Sequence, residues 1–374
     1  MSDHTIRLGS IFGIETRAHY TALFVFGAIA YVVAFGHLPT VTPAAPPEQR
    51  IAVGALFALL LFSSVLAHEF GHALVARHRG KIVAGVTVYL LSATAHVVHD
   101  RERASDEIAV GVAGPLVSTA LALLFAGIAT ALQRSSDSAA SIVWILAYGN
   151  ALLAAFNWLP GYPMDGGRVV RGVLWRMSGN PVKATRIAAG AGKVIAVLLG
   201  GFGCWVAVQY DATIGIWAGA TAWFLAGMAD GQYKSTIIRV ALDGLRVRDL
   251  YAQNVPTLQT STTIEQAAAT FGAATPAKSL PVLFGERAAG CIGEADVASV
   301  PNDQAAGISV GSVMTRVADL ESLAPDDDAM QLLPALAVNR PEAVIVDENG
   351  TYAGIVRRED LARHVARVEQ AGSI

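Results

Sequence analysis

The sequence predicts an α-helical membrane domain of about six spanning helices, followed by a water-soluble α/β module. Three observations carry that reading. The 374 residues are 53% hydrophobic and only 15% charged, against roughly 25% charged in an average soluble domain. The charge is also unevenly placed: residues 1–245 hold 17 Lys and Arg with 13 Asp and Glu, whereas residues 246–374 hold 10 and 17. Long apolar runs fill the first part, and a pattern that repeats after about 63 residues fills the second. The boundaries read as a membrane domain over 1–230, a linker over 231–245, and a repeated module over 246–374, its halves at about 246–303 and 308–370. Neither the net charge of −3 nor the acidic second part favours nucleic acid as a partner. Cys204 and Cys291, one in each part, imply no disulfide framework.

A spanning helix needs about 20 apolar residues. Six such runs occur, at roughly 18–36, 51–76, 107–131, 140–160, 186–209 and 212–229. The opening residues lack the basic-then-apolar run of a cleaved signal peptide, so the first span is expected to stay attached. Connections fall alternately on two sides. One side holds Arg7, Arg17, Arg77, Arg79, Lys81, Arg101, Arg103, Arg168, Arg171, Arg176, Lys183 and Arg186; the other holds only Arg50 and Arg134. The positive-inside rule then puts both termini and the second module in the cytosol, around a multi-pass protein of the cell membrane. Lys193, early in the fifth span, is expected to snorkel to the cytosolic interface.

The second span contains LAHEFGH, Leu66 to His72. Ionisable groups in hydrocarbon cost free energy and call for a function. The spacing His68-Glu69-x-x-His72 puts both imidazoles on one helical face, which suits two ligands of one Zn²⁺ with Glu69 free to deprotonate a water. A solvated charged face is the ordinary explanation of such a match in a soluble helix, and an apolar span removes its solvent. Arg77 marks the cytosolic end, so His68 lies roughly 13 Å deep at about 1.5 Å per residue. Two histidines are too few for a catalytic zinc, which keeps three protein ligands and an open position. A further candidate stands in FNWLPGYPMDGGRVVRG after the fourth span, where Asp165 precedes Gly166 and Gly167. Asp165 either ligates there or caps a helix starting near Gly167, and the two roles are compatible.

HEFGH inside a span, together with N-x-x-P-x-x-P-x-D-G-G-R at Asn157–Arg168, resembles the site-2 protease family of intramembrane zinc metalloproteases. The resemblance implies His68, His72 and Asp165 as zinc ligands, Glu69 as catalytic base, and Asn157 as a group that holds substrate backbone or the developing oxyanion. Asn150, seven residues earlier, either lines the same cavity or bonds a neighbouring helix. The sequence departs from the family pattern at Ser92-Ala93, where a Gly-Gly pair is frequent, and at Ser118, where Asn is frequent after Gly111–Pro115. The segment VTVYLLSATAHVV still alternates like a hairpin whose edge could take an unwound substrate as an added strand. His96 and His99 read as surface histidines, with His96 also placed to gate the metal.

In the second part, LRVRDLYAQNVPTLQTSTTIEQA and ISVGSVMTRVADLESLAPDDDAM each lead into a helix and a strand-turn-strand. Two such β-α-β-β-α units resemble a tandem cystathionine-β-synthase (CBS) pair. The resemblance implies an adenine-nucleotide site, ATP or a relative, using Asp296 and Asp360, although Gly293 and Arg357 replace the family's Ser or Thr. Both aspartates could instead cap their helices. It also implies a homodimer through these modules.

The expected function is hydrolysis of a peptide bond in or near the transmembrane segment of a membrane-anchored substrate, with access or activity set by the CBS pair. The substrate would be a single-pass membrane protein such as a membrane-held transcription regulator or anti-sigma factor. Two alternatives remain at this level: a CBS-regulated transporter, and an inactive pseudo-protease that binds membrane helices.

Overall fold

The computed structural model describes residues 5–88, 93–98, 103–252, 255–274, 279–320, 322–336, 342–347 and 349–371. It divides into two compact units, Met1–Lys234 and Ser235–Ile374.

The first unit opens with a hairpin that hydropathy did not reveal, β1 (Thr5–Ile11) and β2 (Ile14–His19), joined through Phe12 and Gly13 at positive φ of 52° and 75°. Strand β2 alternates as a half-buried strand does: Ile14, Thr16 and Ala18 face inward. Helix α1 follows at once (Tyr20–Val41), with a π-helical turn at Val33–His37. Helix α2 (Pro47–His78) starts with proline at its first position and ends on Arg77 and His78, which complement the negative end of the helix dipole. Strands β3 (Ile82–Val88) and β4 (Ala93–Val98) pair antiparallel, and β3 lies parallel to β2, giving the sheet order β1-β2-β3-β4.

Helices α3 (Ala104–Leu132) and α4 (Asp137–Asn157) form an antiparallel pair, α4 capped by Ser136. A 14-residue amphipathic helix α5 (Asp165–Ser178) ends at Gly179, whose φ of 70° suits only glycine well. Helix α6 (Pro181–Gln209) is capped by Asn180, whose side chain accepts from Lys183 N at 2.9 Å. Helix α7 (Ala212–Leu242) starts under Asp211, whose carboxylate accepts the amides of Thr213 and Ile214 and is thereby held below its usual pKa.

Among the described residues, six helices (α1, α2, α3, α4, α6 and α7) are long and apolar enough to cross a membrane, so the chain is a multi-pass membrane protein. The packing agrees with a lipid solvent. Large apolar side chains such as Leu123, Val197 and Trp223 point outward, while small ones such as Ala73, Ala76, Ala113 and Ala188 fill the interior and let backbones approach. Two expectations need correction. The fourth span stops at Asn157 rather than 160, because Pro160 cannot continue the helix. Most of the stretch 231–245, expected as linker, is helical: α7 runs on to Leu242, across the division between the units. Lys193 pairs with Asp230 of α7.

The second unit repeats one topology. In the first half, β5 (Leu258–Gln259) is parallel to β6 (Ser279–Phe284), which pairs antiparallel with β7 (Arg287–Gly293). Helix α8 (Ile264–Ala274) bridges the parallel pair, and α9 (Glu294–Ala298) follows β7. Strand β8 (Thr315–Arg316) is contributed by the leader of the other half and adds to β7. In the second half, β9 (Ser322–Leu323), β10 (Glu342–Val346) and β11 (Tyr352–Arg357) repeat the parallel-then-antiparallel order, with helices α10 (Leu332–Ala335) and α11 (Arg358–Ala371). Each half has its own apolar core, around Leu280, Val282 and Ile292 in one and Leu332, Ile345 and Val356 in the other. Leu242 is buried in the latter core, and Ala241 O accepts from His364.

Candidate metal centre

Helix α2 presents His68 and His72 one turn apart, with ring centroids 4.9 Å apart. Both rings are buried. Helix α3 fixes their orientation: His72 Nδ1 donates to the carbonyl of Val110 at 2.6 Å, and His68 Nδ1 meets Ser118 Oγ at 2.9 Å. A hydrogen bond on Nδ1 leaves Nε2 as the ligating nitrogen. The two Nε2 atoms lie 3.2 Å apart and converge on one oxygen of Asp165, Oδ2, at 3.2 Å from His68 and 3.1 Å from His72. This is the group of potential metal ligands found among the described residues.

Why Asp165 arrives there follows from its own segment. Pro160 and Pro163 break the chain after α4, and Tyr162 N donates to Ala188 O, tying the loop to α6. The two glycines after Asp165 are required by close approach. A Cβ at Gly166 would sit 2.3 Å from Leu159 O, and one at Gly167 would sit 2.4 Å from the carbonyl carbon of Gly161. Helix α5 begins at Asp165 itself, with Met164 as the flanking residue and no side-chain cap. Asp165 therefore does not cap a helix starting near Gly167; its carboxylate turns to the imidazoles instead.

The donor set fits zinc. Ligand bonds of about 2.0–2.1 Å at tetrahedral angles separate ligand atoms by about 3.3 Å, and all three separations here are 3.1–3.2 Å. Gly114 of α3 closes one side: a Cβ there would lie 2.2 Å from His72 Nε2 and 2.7 Å from His68 Nε2. Glycine leaves room for an ion between the three donors; alanine does not. Glu69, half-buried beside His68, lies in electrostatic reach of His72, Asp165 and Arg168.

Other candidates fall elsewhere. Asn157 ends α4, half-buried, and its amide donates back to Leu153 O at 3.0 Å. Asn150 is fully buried and donates to Ser64 Oγ of α2 and to Leu146 O, so it bonds a neighbouring helix. His96 belongs to β4, but its side chain, His99 and Ser92 lie outside the described residues. Asp296 and Asp360 each cap a helix, accepting from Gly293 N at 2.9 Å and Arg357 N at 3.2 Å. Arg357 donates to the carbonyl of Ser279 in the other half. Sequence reasoning missed Gly114, the Val110 carbonyl and the orienting part of Ser118. The GVAGP stretch was the available signal, since glycine beside a proline inside an apolar span marks a close approach.

A sequence model of Peptidase family M50 matches residues 128–199, and a CBS domain model matches residues 310–367. One part of the chain thus resembles Peptidase family M50 and another resembles a CBS domain. The M50 match includes the Asn157–Arg168 motif and begins beyond HEFGH. Rip3 of Mycobacterium tuberculosis, named as a zinc metalloprotease, is 29% identical over 362 residues, 96% of this chain and 92% of its own. Zinc metalloprotease MJ0392 of Methanocaldococcus jannaschii is 25% identical over 368 residues, 98% of each chain. The solved site-2 protease from Methanocaldococcus jannaschii is 26% identical, spans 62% of this chain and 95% of its own, and superposes with a TM-score of 0.41. The segment matched to Peptidase family M50 includes the loop that delivers Asp165, and the candidate metal centre joins that loop to α2.

Proposed function

We propose that the chain is an intramembrane zinc metalloprotease that cuts a peptide bond in or near the transmembrane segment of a membrane-anchored protein. The observation that carries this is the convergence of His68 Nε2, His72 Nε2 and Asp165 Oδ2 from separate parts of the chain. Those three atoms would hold the zinc, which when bound supplies Lewis-acid polarisation of the scissile carbonyl and a lowered pKa for water.

Glu69 takes a proton from the attacking water as its oxygen bonds to the carbonyl carbon. The same carboxyl then passes that proton to the departing amine nitrogen as the C–N bond breaks, so protons balance. Asn157 stands at the end of α4, where its amide can leave Leu153 O and donate to the developing oxyanion. A substrate helix hides its carbonyls in its own hydrogen bonds and must unwind first. Strand β4 is the outer strand of its sheet and offers an edge to which an extended substrate can add. The arginines near α2, α3 and α5 support a cytosolic placement of this end, and with it of both termini. A membrane-held transcription regulator or anti-sigma factor fits the substrate class.

In the CBS module, adenine-nucleotide binding would set access or activity. Asp296 is the better-placed carboxylate, since one oxygen caps its helix while Asp360 also pairs with Arg363. Dimerisation through the module belongs to the same proposal. The test is zinc content and cleavage of a single-pass substrate by the purified full chain, beside Glu69→Gln. One zinc per chain in both, with cleavage by Glu69→Gln at least about 10²-fold slower than by the parent, is the expected result; cleavage by Glu69→Gln at the parent's rate would overturn the assignment of the base.

A further inference from the structure

Beneath the metal centre lies a buried cluster of charge that the chemistry above does not use. Glu107, in the first turn of α3, is 5% exposed, and Arg171 of α5 is 3% exposed. Arg171 Nη1 pairs with Glu107 Oε2 at 3.1 Å, and Arg168 Nη2 approaches Glu107 Oε1 at 3.6 Å. Each carboxylate oxygen therefore faces one arginine of the same helix. Arg171 Nε donates to Thr185 Oγ1 of α6 at 2.9 Å, and its guanidinium lies over Trp175 at 5.1 Å.

Charges buried this completely cost free energy unless fully paired, and this pairing has a direction. Arg168 is three residues after Asp165, one turn of α5 away, and in electrostatic reach of it. Helix α5 crosses no membrane and starts straight out of a proline-rich loop, so its register must come from packing. Helix α3 supplies that register from one face: Glu107, Gly111, Gly114 and Ser118 follow at spacings of four, three and four residues. A Cβ at Gly111 would meet Arg168 Cβ and Asp165 O at 3.2 Å. Gly114 faces both Nε2 atoms, and Ser118 holds His68. The stripe that orients the imidazoles thus also grips the helix that bears Asp165.

We propose that Glu107 is a positioning residue for the metal centre: through Arg168 and Arg171 it fixes α5 so that Asp165 meets His68 and His72. This rests on the zinc-site reading. The ion pairs of Glu107 run to Arg168 and Arg171 of the helix that bears Asp165, so it acts through the ligand.

The experiment is zinc affinity of the purified full chain by chelator competition, for the parent, Glu107→Gln, Asp165→Asn and the double variant. Glu107→Gln keeps the shape and removes the charge. Its expected effect is a loss of about 10–100-fold in zinc affinity, the usual consequence of removing a group that orients a ligand. In the double variant the loss should equal that of Asp165→Asn alone, because a positioning residue has nothing left to position. Losses that simply add would mark Glu107 as a general structural residue and overturn the inference, as would unchanged affinity in Glu107→Gln. Should Glu107→Gln fail to fold, Arg168→Gln leaves the Glu107–Arg171 pair intact and decides by the same two comparisons. A parent that binds no zinc removes the zinc-site reading itself, whereas a parent that binds it beside an unaffected Glu107→Gln removes only this inference.

Discussion

Among the aspartates that stand in the first turn of a helix in this chain, three show two different jobs. Asp296 and Asp360, in the CBS module, bond a backbone amide three residues earlier, the local use that helix starts favour. Asp165, in the membrane unit, makes no cap and reaches to imidazoles of α2, nearly a hundred residues earlier. The difference lies in what else each helix start must satisfy. Gly293 and Arg357 are the flanking residues whose amides the aspartates accept. Asp165 begins its helix directly, beside two buried nitrogen lone pairs, where a ligating role fits the donor set and a capping role is absent. A carboxylate at a helix start is thus assigned by the partners the fold brings to it, not by its position.

The sharpest way to break that contrast is to remove the ligating groups one at a time. Asp165→Asn and His68→Ala should each lower the zinc retained through purification well below one per chain, with weakened binding still measurable at raised zinc, and take cleavage to background, measured by metal analysis and a fragment assay. Gly114→Ala tests the same centre from α3. Alanine is better than glycine in a helix interior by roughly 1 kcal/mol, so the helix should gain locally. The added methyl nevertheless falls 2.2 Å from His72 Nε2. Loss of zinc with the helix content of the parent is the expected pattern, since the crowded imidazoles must shift; retained zinc would show that the three donors do not close on an ion from the direction the structure gives.

Glu69→Gln comes next in size, with zinc kept and cleavage reduced by about 10²–10⁴-fold, the range for removing a general base. Ser118→Ala should follow, with zinc affinity down by roughly tenfold, because it only orients His68.

How much of this was legible beforehand divides along the same line. HEFGH and Asn157–Arg168 pointed to the three groups that converge, His68, His72 and Asp165, because ionisable residues in apolar runs are rare and their spacing is specific. The two-fold repeat carried the second unit, and the structure returns it as two sheets of one topology. The β1–β2 hairpin was hidden because its turn is Phe12-Gly13 rather than a polar turn pair. Phe12 takes positive φ there, its carbonyl accepts Arg77 at 2.6 Å, and its ring packs edge-on to Phe70. The end of α7 was hidden because hydropathy falls where the helix leaves the apolar run while its backbone continues to Leu242. The buried pairing of Glu107 was invisible because charged residues beside a predicted span read as interface, and only packing of α3, α5 and α6 turns them inward.

The smallest expected effect decides what Asp296 does beyond capping. Asp296→Ala should cost about 1 kcal/mol by loss of the cap, seen in the melting of the second unit, with zinc content untouched. Asp296→Asn separates the two roles. Asparagine caps nearly as well as aspartate through its one carbonyl oxygen, but its other atom is a donor and cannot accept from a ribose hydroxyl. Stability should therefore stay at the parent level in Asp296→Asn. Any stabilisation of the parent by added ATP should fall in that variant, since ligand-induced stability follows affinity. Equal ATP protection in both proteins would leave Asp296 a capping residue and move any nucleotide site away from it. No protection of the parent would remove nucleotide sensing from the module altogether, with the metal centre unaffected.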